Sequence, residues 1–214
     1  MFITANTDNI VSKPDFARHP AELLERYTLA PAANVGDVFD RLKVLDSGIR
    51  CLTGNARLVG TALPILTRAG DNLAIHRALD DAQPGDVLVI NGQSDLSRAL
   101  IGDLIGEIMV NRGVVGAVID GVIRDAETLS RQGLAVFARG TTPAGPFKNG
   151  PGIIGDPVAV GGVVISAGDI IVGDADGVAV VPRDHAATAV NLVHQVIAKE
   201  EDLRRRILAA TATR

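Results

Sequence analysis

A chain of 214 residues with 47% hydrophobic content suits one domain with terminal extensions, and its 3% aromatic content, with no Trp and one Tyr, demands a core of Val, Ile, Leu and Ala. The net charge of −4 gives no electrostatic case for nucleic-acid binding, because Glu200, Glu201 and Asp202 offset the basic run Arg204-Arg205-Arg206. One cysteine, Cys51, excludes an internal disulfide and a cysteine-based zinc site; with neither a leader-like N-terminus nor a membrane-length apolar window, the expected location is the cytoplasm.

In chain order, residues 14–30 read as a surface helix that starts near Pro14 and turns Leu23, Leu24 and Tyr27 to one side. A second short helix is expected over 34–44, from Val35, Val38, Phe39 and Leu42. The run 58–66 is an apolar strand and 71–79 a short helix. Gln83-Pro84-Gly85-Asp86 is a turn into the strand 87–90, which Asn91-Gly92 should end. A helix over 100–111 turns Ile101, Leu104, Ile105 and Ile108 inward and Asp103, Glu107 and Asn111 outward. The strand 114–119 follows, leaving through Asp120-Gly121 to Arg124-Asp125. Helix 126–132 and strand 135–138 complete a third unit.

Residues 139–157 carry five Gly and four Pro and read as a long loop. Short strands are then expected at 158–160, 163–165, 169–172 and 178–181. A helix over 184–208 has Ala189, Val193, Val196, Ile197, Leu203 and Ile207 on its apolar face. These elements predict an α/β fold, with a central mixed sheet and flanking helices. The expected organisation is an N-terminal helical extension (1–33), an α/β core (34–185) and a C-terminal interface helix (186–214) in one cooperative domain.

Polar groups cluster where the strands end, the usual place for binding groups held by a buried sheet. Arg124 offers a permanently charged planar fork for a carboxylate, and Asp125 beside it can hold a hard divalent cation. Asp103 and Glu107 can bond to a cation's waters or orient Arg124. The competing reading is a structural ion-pair network at the sheet edge. Gly150-Pro151-Gly152 lacks the strand–GxGxxG–helix context of a nicotinamide site, so hydride transfer is not indicated. His19, His76 and His185 read as structural or solvent-facing and His194 as interfacial; no pair has metal-ligand spacing. Asp174 and Asp176 read as turn formers.

The run from Asn91-Gly92 through Gly102-Asp103-Leu104-Ile105, Arg112-Gly113 and Val118–Asp125, with Gly161-Gly162 and Gly173–Pro182, resembles the RraA-like family over about residues 35–201. That family includes 4-hydroxy-4-methyl-2-oxoglutarate aldolases with oxaloacetate decarboxylase activity. The resemblance implies a compact swivelling β/β/α-type domain, assembled as a homotrimer or a dimer of trimers with sites at subunit boundaries. It implies that Gly102, Asp103, Leu104 and Ile105 receive a pyruvate-like carboxylate on backbone N–H groups, a role that orphan helix donors and the helix dipole also favour.

Arg124 would contact the same 2-oxo acid, Asp125 would hold Mg²⁺ or Mn²⁺, and Asp103 would aid the cation's water shell. Glu200, with Glu201 close behind, would complete a neighbouring subunit's site; the competing reading is a salt bridge from Glu200 to Arg204. The implied reaction is retro-aldol cleavage of a 4-hydroxy-2-oxo acid, or loss of CO₂ from oxaloacetate, each through a pyruvate enolate. The alternative within the same family is a protein that binds and inhibits an RNA-degradation endonuclease.

Overall fold

The computed structural model describes residues 6–13 and 15–211. In chain order the elements begin with β1 (Ile10–Ser12), α1 (Ala21–Glu25), α2 (Ala32–Val38), β2 (Arg50–Cys51), β3 (Leu58–Thr67) and α3 (Leu73–Asp81). Then come β4 (Asp86–Ala99), α4 (Asp103–Asn111), β5 (Gly116–Ile123), α5 (Ala126–Arg131), β6 (Ala135–Thr141) and β7 (Gly152–Ile154). Four more strands follow: β8 (Val158–Val160), β9 (Val163–Ile165), β10 (Ile170–Asp174) and β11 (Gly177–Val181). A 3₁₀ turn at Arg183–His185 leads into α6 (Ala186–Thr211).

Strands buried on both faces read as largely apolar runs; β3, the first half of β4, β5 and β6 are of this kind, and the four strands pair parallel in that order. The other edge of β3 is shared. Its first half pairs antiparallel with β10, and its last residues pair antiparallel with β7. A mixed α/β sheet results, with β1 added beyond β7 and β2 beyond β6.

Each parallel crossover carries a helix, so α3, α4 and α5 cover one face and enclose Leu63, Ile75, Leu88, Met109, Ile119 and Leu129. The opposite face is covered by the β8–β9 hairpin, around Val89, Val118, Phe137 and Val160. A third cluster joins α2 and the first half of α6 to β10 and β11 through Val35, Val172, Ala189 and Val193.

The N-terminal segment differs from its expectation. The helix predicted over 14–30 is reduced to Ala21–Glu25, and Pro14 lies outside the described residues. Side-chain anchors decide this path. Arg18 donates twice to the buried Asp86 carboxylate at 2.8 and 2.9 Å, and the Tyr27 hydroxyl donates to Ala186 O at 2.7 Å. Burial pushes the Tyr27 phenol up to about 12. Ahead of these anchors, β1 pairs parallel with β7.

Two corrections apply at the strand ends. Asn91-Gly92 does not end β4, which runs on to Ala99 through an excursion with Gln93 (φ 59°) and Ser94 (φ 55°) in left-handed backbone. Asp120-Gly121 lies inside β5, not beyond it. The stretch 139–157 is likewise only partly loop, since β6 continues to Thr141 and β7 joins the sheet.

Candidate functional site

The connections after β4, β5 and β6 are tied together by backbone hydrogen bonds. Leu100 N donates to Val122 O (2.9 Å), Arg124 N to Ile101 O (3.0 Å) and Thr142 N to Ile123 O (2.9 Å). This lacing sets Gly102, the residue before α4, directly against Arg124-Asp125. A Cβ at Gly102 would lie 2.6 Å from Asp125 Oδ2 and 2.9 Å from Arg124 Nε, so only glycine leaves this pair its present position.

Asp125 itself takes left-handed backbone (φ 54°), which Asp tolerates better than most residues. The turn carries its carboxylate back to α4. Oδ2 accepts a hydrogen bond from Asp103 N at 3.3 Å and stands 3.4 Å from Arg124 Nε. Both distances are long for charge-assisted contacts, and each side chain is well exposed. Asp103 turns its own Oδ1 onto Leu104 N at 2.8 Å. The leading amides of α4 therefore already face carboxylates of this chain. They accept anions, as the helix dipole requires, and an incoming carboxylate must displace Asp125 or Asp103.

Arg124 stands between two clefts. One is open, about 460 Å³, bordered by Glu127, Thr128, Thr141 and Thr142. The other is smaller and more enclosed, about 120 Å³, between the start of α4 and a wall of Asn72, His76 and Lys148. Burial, with the nearby Lys148 ammonium adding to it, brings the His76 imidazole down to about 4. Asn72 precedes α3 but makes no side-chain cap to it; its Nδ2 donates to Leu100 O at 3.0 Å instead.

The predicted residues Gly102, Asp103, Leu104, Ile105, Arg124 and Asp125 thus share one mouth. Glu200 does not join it within one chain: it is exposed on α6, past Ile197, the last residue of that helix packed against the third cluster. The ion pairs on this part of α6 join Asp202 to Arg205 and Arg206, with no Glu200–Arg204 bridge among them. Asn72 and Lys148 escaped the sequence reading, and His76 was read as structural or solvent-facing. The only sequence signal for Asn72 is its place before a helix, where an ordinary cap is the default reading.

Among the described residues no group of three or more His, Cys, Asp or Glu could hold a metal ion. The described residues of one chain therefore build no closed protein cage of the zinc type. Carboxylate oxygens from Asp125 and Asp103 do suit Mg²⁺ or Mn²⁺, which keep several waters and need only one or two protein carboxylates.

A second polar cluster lies nearby on β5 and β6. Asp120 accepts from Ser94 Oγ (2.7 Å), from Arg139 Nε and from Gly161 N (3.2 Å), while Arg139 also donates to Asp46 at 2.9 Å. Burial opposes ionisation of Asp120, but these donors more than reverse it and hold the carboxyl below its ordinary value.

Comparison with known proteins bears on this geometry. Residues 32–180 match the model of the RraA-like family, described as Aldolase/RraA. The chain belongs to the RraA-like family. It is 40% identical over 162 residues, 76% of this chain and 77% of the relative, to a protein of Halalkalibacterium halodurans whose name, 4-hydroxy-4-methyl-2-oxoglutarate aldolase, is itself provisional.

Among solved RraA-like structures, Streptomyces coelicolor RraAS2, an unusual member of the RNase ES inhibitor RraA protein family, superposes with a TM-score of 0.81 at 28% identity. The match covers 89% of this chain and 99% of that one. The RNA-processing inhibitor RraA from Thermus thermophilus gives 0.66 at 27% identity, over 72% and 93%. The expected RraA-type α/β fold is thereby established for this chain. Among the described residues no helix is long and apolar enough to cross a membrane.

Proposed function

We propose that this RraA-like protein is a divalent-cation-assisted carbon–carbon lyase that cleaves 4-hydroxy-2-oxo acids of the 4-hydroxy-4-methyl-2-oxoglutarate type and decarboxylates oxaloacetate. The observation that carries the reading is the meeting of Arg124, Asp125 and the start of α4 at one mouth, where, among the described residues, the Arg124 guanidinium has only a 3.4 Å ion pair with Asp125. An arginine so loosely engaged is free to clamp a substrate carboxylate bidentately. Asp125 would hold Mg²⁺ or Mn²⁺, with Asp103 toward its waters, and the bound cation would lend positive charge to the 2-oxo oxygen.

Arg124 would orient the acid and balance the charge that develops as the C–C bond breaks. The amides of Asp103, Leu104 and Ile105 would take the carboxylate once Asp125 turns toward the cation. A homotrimer or a pair of trimers would bring Glu200 of one subunit to the mouth of the next. The exposed Leu203, Ile207 and Leu208 on the projecting part of α6 support an interface there. The division into a core at 34–185 and an interface helix from 186, and cytoplasmic residence, belong to the same proposal.

The second reading, a protein-binding inhibitor of an RNA-degradation endonuclease, is favoured by the likeness to the two inhibitor-family structures and by the lack of a closed metal cage among the described residues. One set of experiments separates the two. Purified protein is given oxaloacetate with Mg²⁺ or Mn²⁺, with and without chelator, and pyruvate is measured. The lyase reading expects cation-dependent turnover that Arg124→Ala and Asp125→Ala both abolish; unchanged turnover in both variants rejects the site. No turnover of oxaloacetate, nor of 4-hydroxy-4-methyl-2-oxoglutarate given under the same conditions, together with inhibition of the endonuclease in an RNA-cleavage assay, establishes the second reading instead.

A further inference from the structure

Opposite the start of α4, the small cleft is walled by Asn72 and His76, one helical turn apart. Asn72 is only 3% exposed. The bond from its Nδ2 to Leu100 O fixes the orientation of the amide, because exchanging its ends would set oxygen against a carbonyl oxygen. Oδ1 is then the free end, buried and without a donor among the described residues. A buried acceptor left in this state is unfavourable unless something else supplies the donor.

The His76 imidazole makes no hydrogen bond among the described residues; the His76 backbone N donates to Asn72 O at 3.2 Å. Its imidazole is neutral near pH 7, so it offers one N–H and one lone pair and no charge. The charged groups around this wall are Lys148 and Arg124 on the cleft lining, Asp103 on α4, and Asp80 on α3 itself. Arg124 and the α4 amides thus stand on one side of the cleft, and the opposite wall holds the Asn72 acceptor and the neutral His76, with the Lys148 ammonium beside them. A carboxylate suits the first side. On the second it would put oxygen against Asn72 Oδ1, whereas a hydroxyl supplies the missing donor.

We propose that Asn72, backed by His76, is a specificity-determining acceptor that selects short carboxylic acids bearing a hydroxyl, either 2-hydroxy acids or the enol of a 2-oxo acid, over analogues lacking it. The assignment rests on reading the cleft as a carboxylate seat. A site that hydrogen-bonds a substrate hydroxyl rejects the deoxy analogue strongly, because the analogue leaves the buried acceptor unpaired. The cleft volume of about 120 Å³ matches an acid of a few carbons. The proposed cleavage releases pyruvate as its enolate, and the enol that forms when the enolate oxygen takes a proton carries a hydroxyl of this kind.

The test is calorimetric titration of the full-length protein with lactate and with propionate, which differ only in the hydroxyl. Wild type should bind lactate at least tenfold more tightly than propionate. Asn72→Leu should bring that ratio to within twofold while leaving propionate affinity within threefold, and His76→Gln should lower the ratio by about threefold. A wild-type ratio near one, or no binding of either acid, overturns the proposal without recourse to any variant. A ratio of ten that survives Asn72→Leu in a folded protein, checked by thermal unfolding, also overturns it. Oxaloacetate turnover without the ratio sinks this inference alone; the ratio without turnover leaves the inference and sinks the lyase reading.

Discussion

Two polar clusters sit a few residues apart along β5 and its exit, and they are built on opposite principles. Around Asp120 every strong group is matched: Ser94, Arg139 and Gly161 converge on one carboxylate, and Asp46 takes the other end of Arg139. Around Arg124 the matches are long or missing, with contacts of 3.3 and 3.4 Å at Asp125 and a free oxygen on Asn72. A saturated cluster has nothing left to give a ligand and serves to fix the chain. An under-satisfied one keeps its donors and acceptors for something that is not protein. The excursion of β4 belongs to the first kind, since it brings Ser94 to Asp120 at the cost of two residues in left-handed backbone.

The sharpest way to break this contrast is to delete one charge from each cluster. Arg124→Ala should lower pyruvate formation from oxaloacetate by roughly 10²–10³-fold, as for loss of one charge-stabilising group, while stability in urea changes by less than about 0.5 kcal/mol. Asp120→Ala should do the reverse at the level of folding, costing about 2–3 kcal/mol in urea because Arg139 and Ser94 lose their shared acceptor. If Arg124→Ala unfolds the protein and Asp120→Ala does not, the division between the clusters is wrong.

The under-satisfied side should also show in acid. His76 binds its proton near pH 4 in the folded chain and near 6.5 when unfolded. As pH falls below 6.5 the unfolded chain gains a proton that the folded chain refuses, so stability drops, by about 3 kcal/mol at pH 4. His76→Gln should flatten urea-measured stability across that window. The depressed carboxyls of Asp120 and Asp46 act lower, below about pH 3.8, and the raised Asp169 acts in the opposite sense, so the difference between variant and wild type isolates His76. An unchanged slope in the variant would remove His76 from the buried wall.

The smallest effect concerns Gly102. Gly102→Ala should leave the fold intact, because the atoms its methyl meets belong to the movable side chains of Arg124 and Asp125. Displacing that pair should weaken carboxylate binding about tenfold, equivalent to about 1.4 kcal/mol. Titration with pyruvate would check this, and undiminished affinity would show that the close approach is incidental.

Much of this protein was legible in one dimension. The largely apolar runs at 58–66, 114–119 and 135–138 specify a sheet buried on both sides, since only a parallel, helix-covered sheet hides them. The pairing of a helix start at Gly102 with Arg124-Asp125 followed from local patterns and from family resemblance. The N-terminal segment was misread because its course is set by partners far along the chain, Asp86 for Arg18 and Ala186 for Tyr27, which local periodicity cannot register. The end of β4 was misread for a similar reason. Asn91-Gly92 has the chemistry of a turn, but the backbone of β5 and the carboxylate of Asp120 hold the chain in the sheet beyond it.

By itself, then, the sequence determined the layered α/β architecture and the identity of the charged pair, because burial pattern and side-chain chemistry are local properties. Only the tertiary structure decided which polar groups are finished and which are free. That distinction depends on partners 19 or more residues away: Leu100 for Asn72, Arg139 and Ser94 for Asp120, and the amide of Asp103 for Asp125. Hydrogen bonding saturates at an atom only when the chain has closed around it, so the difference between a scaffold and a site appears in three dimensions.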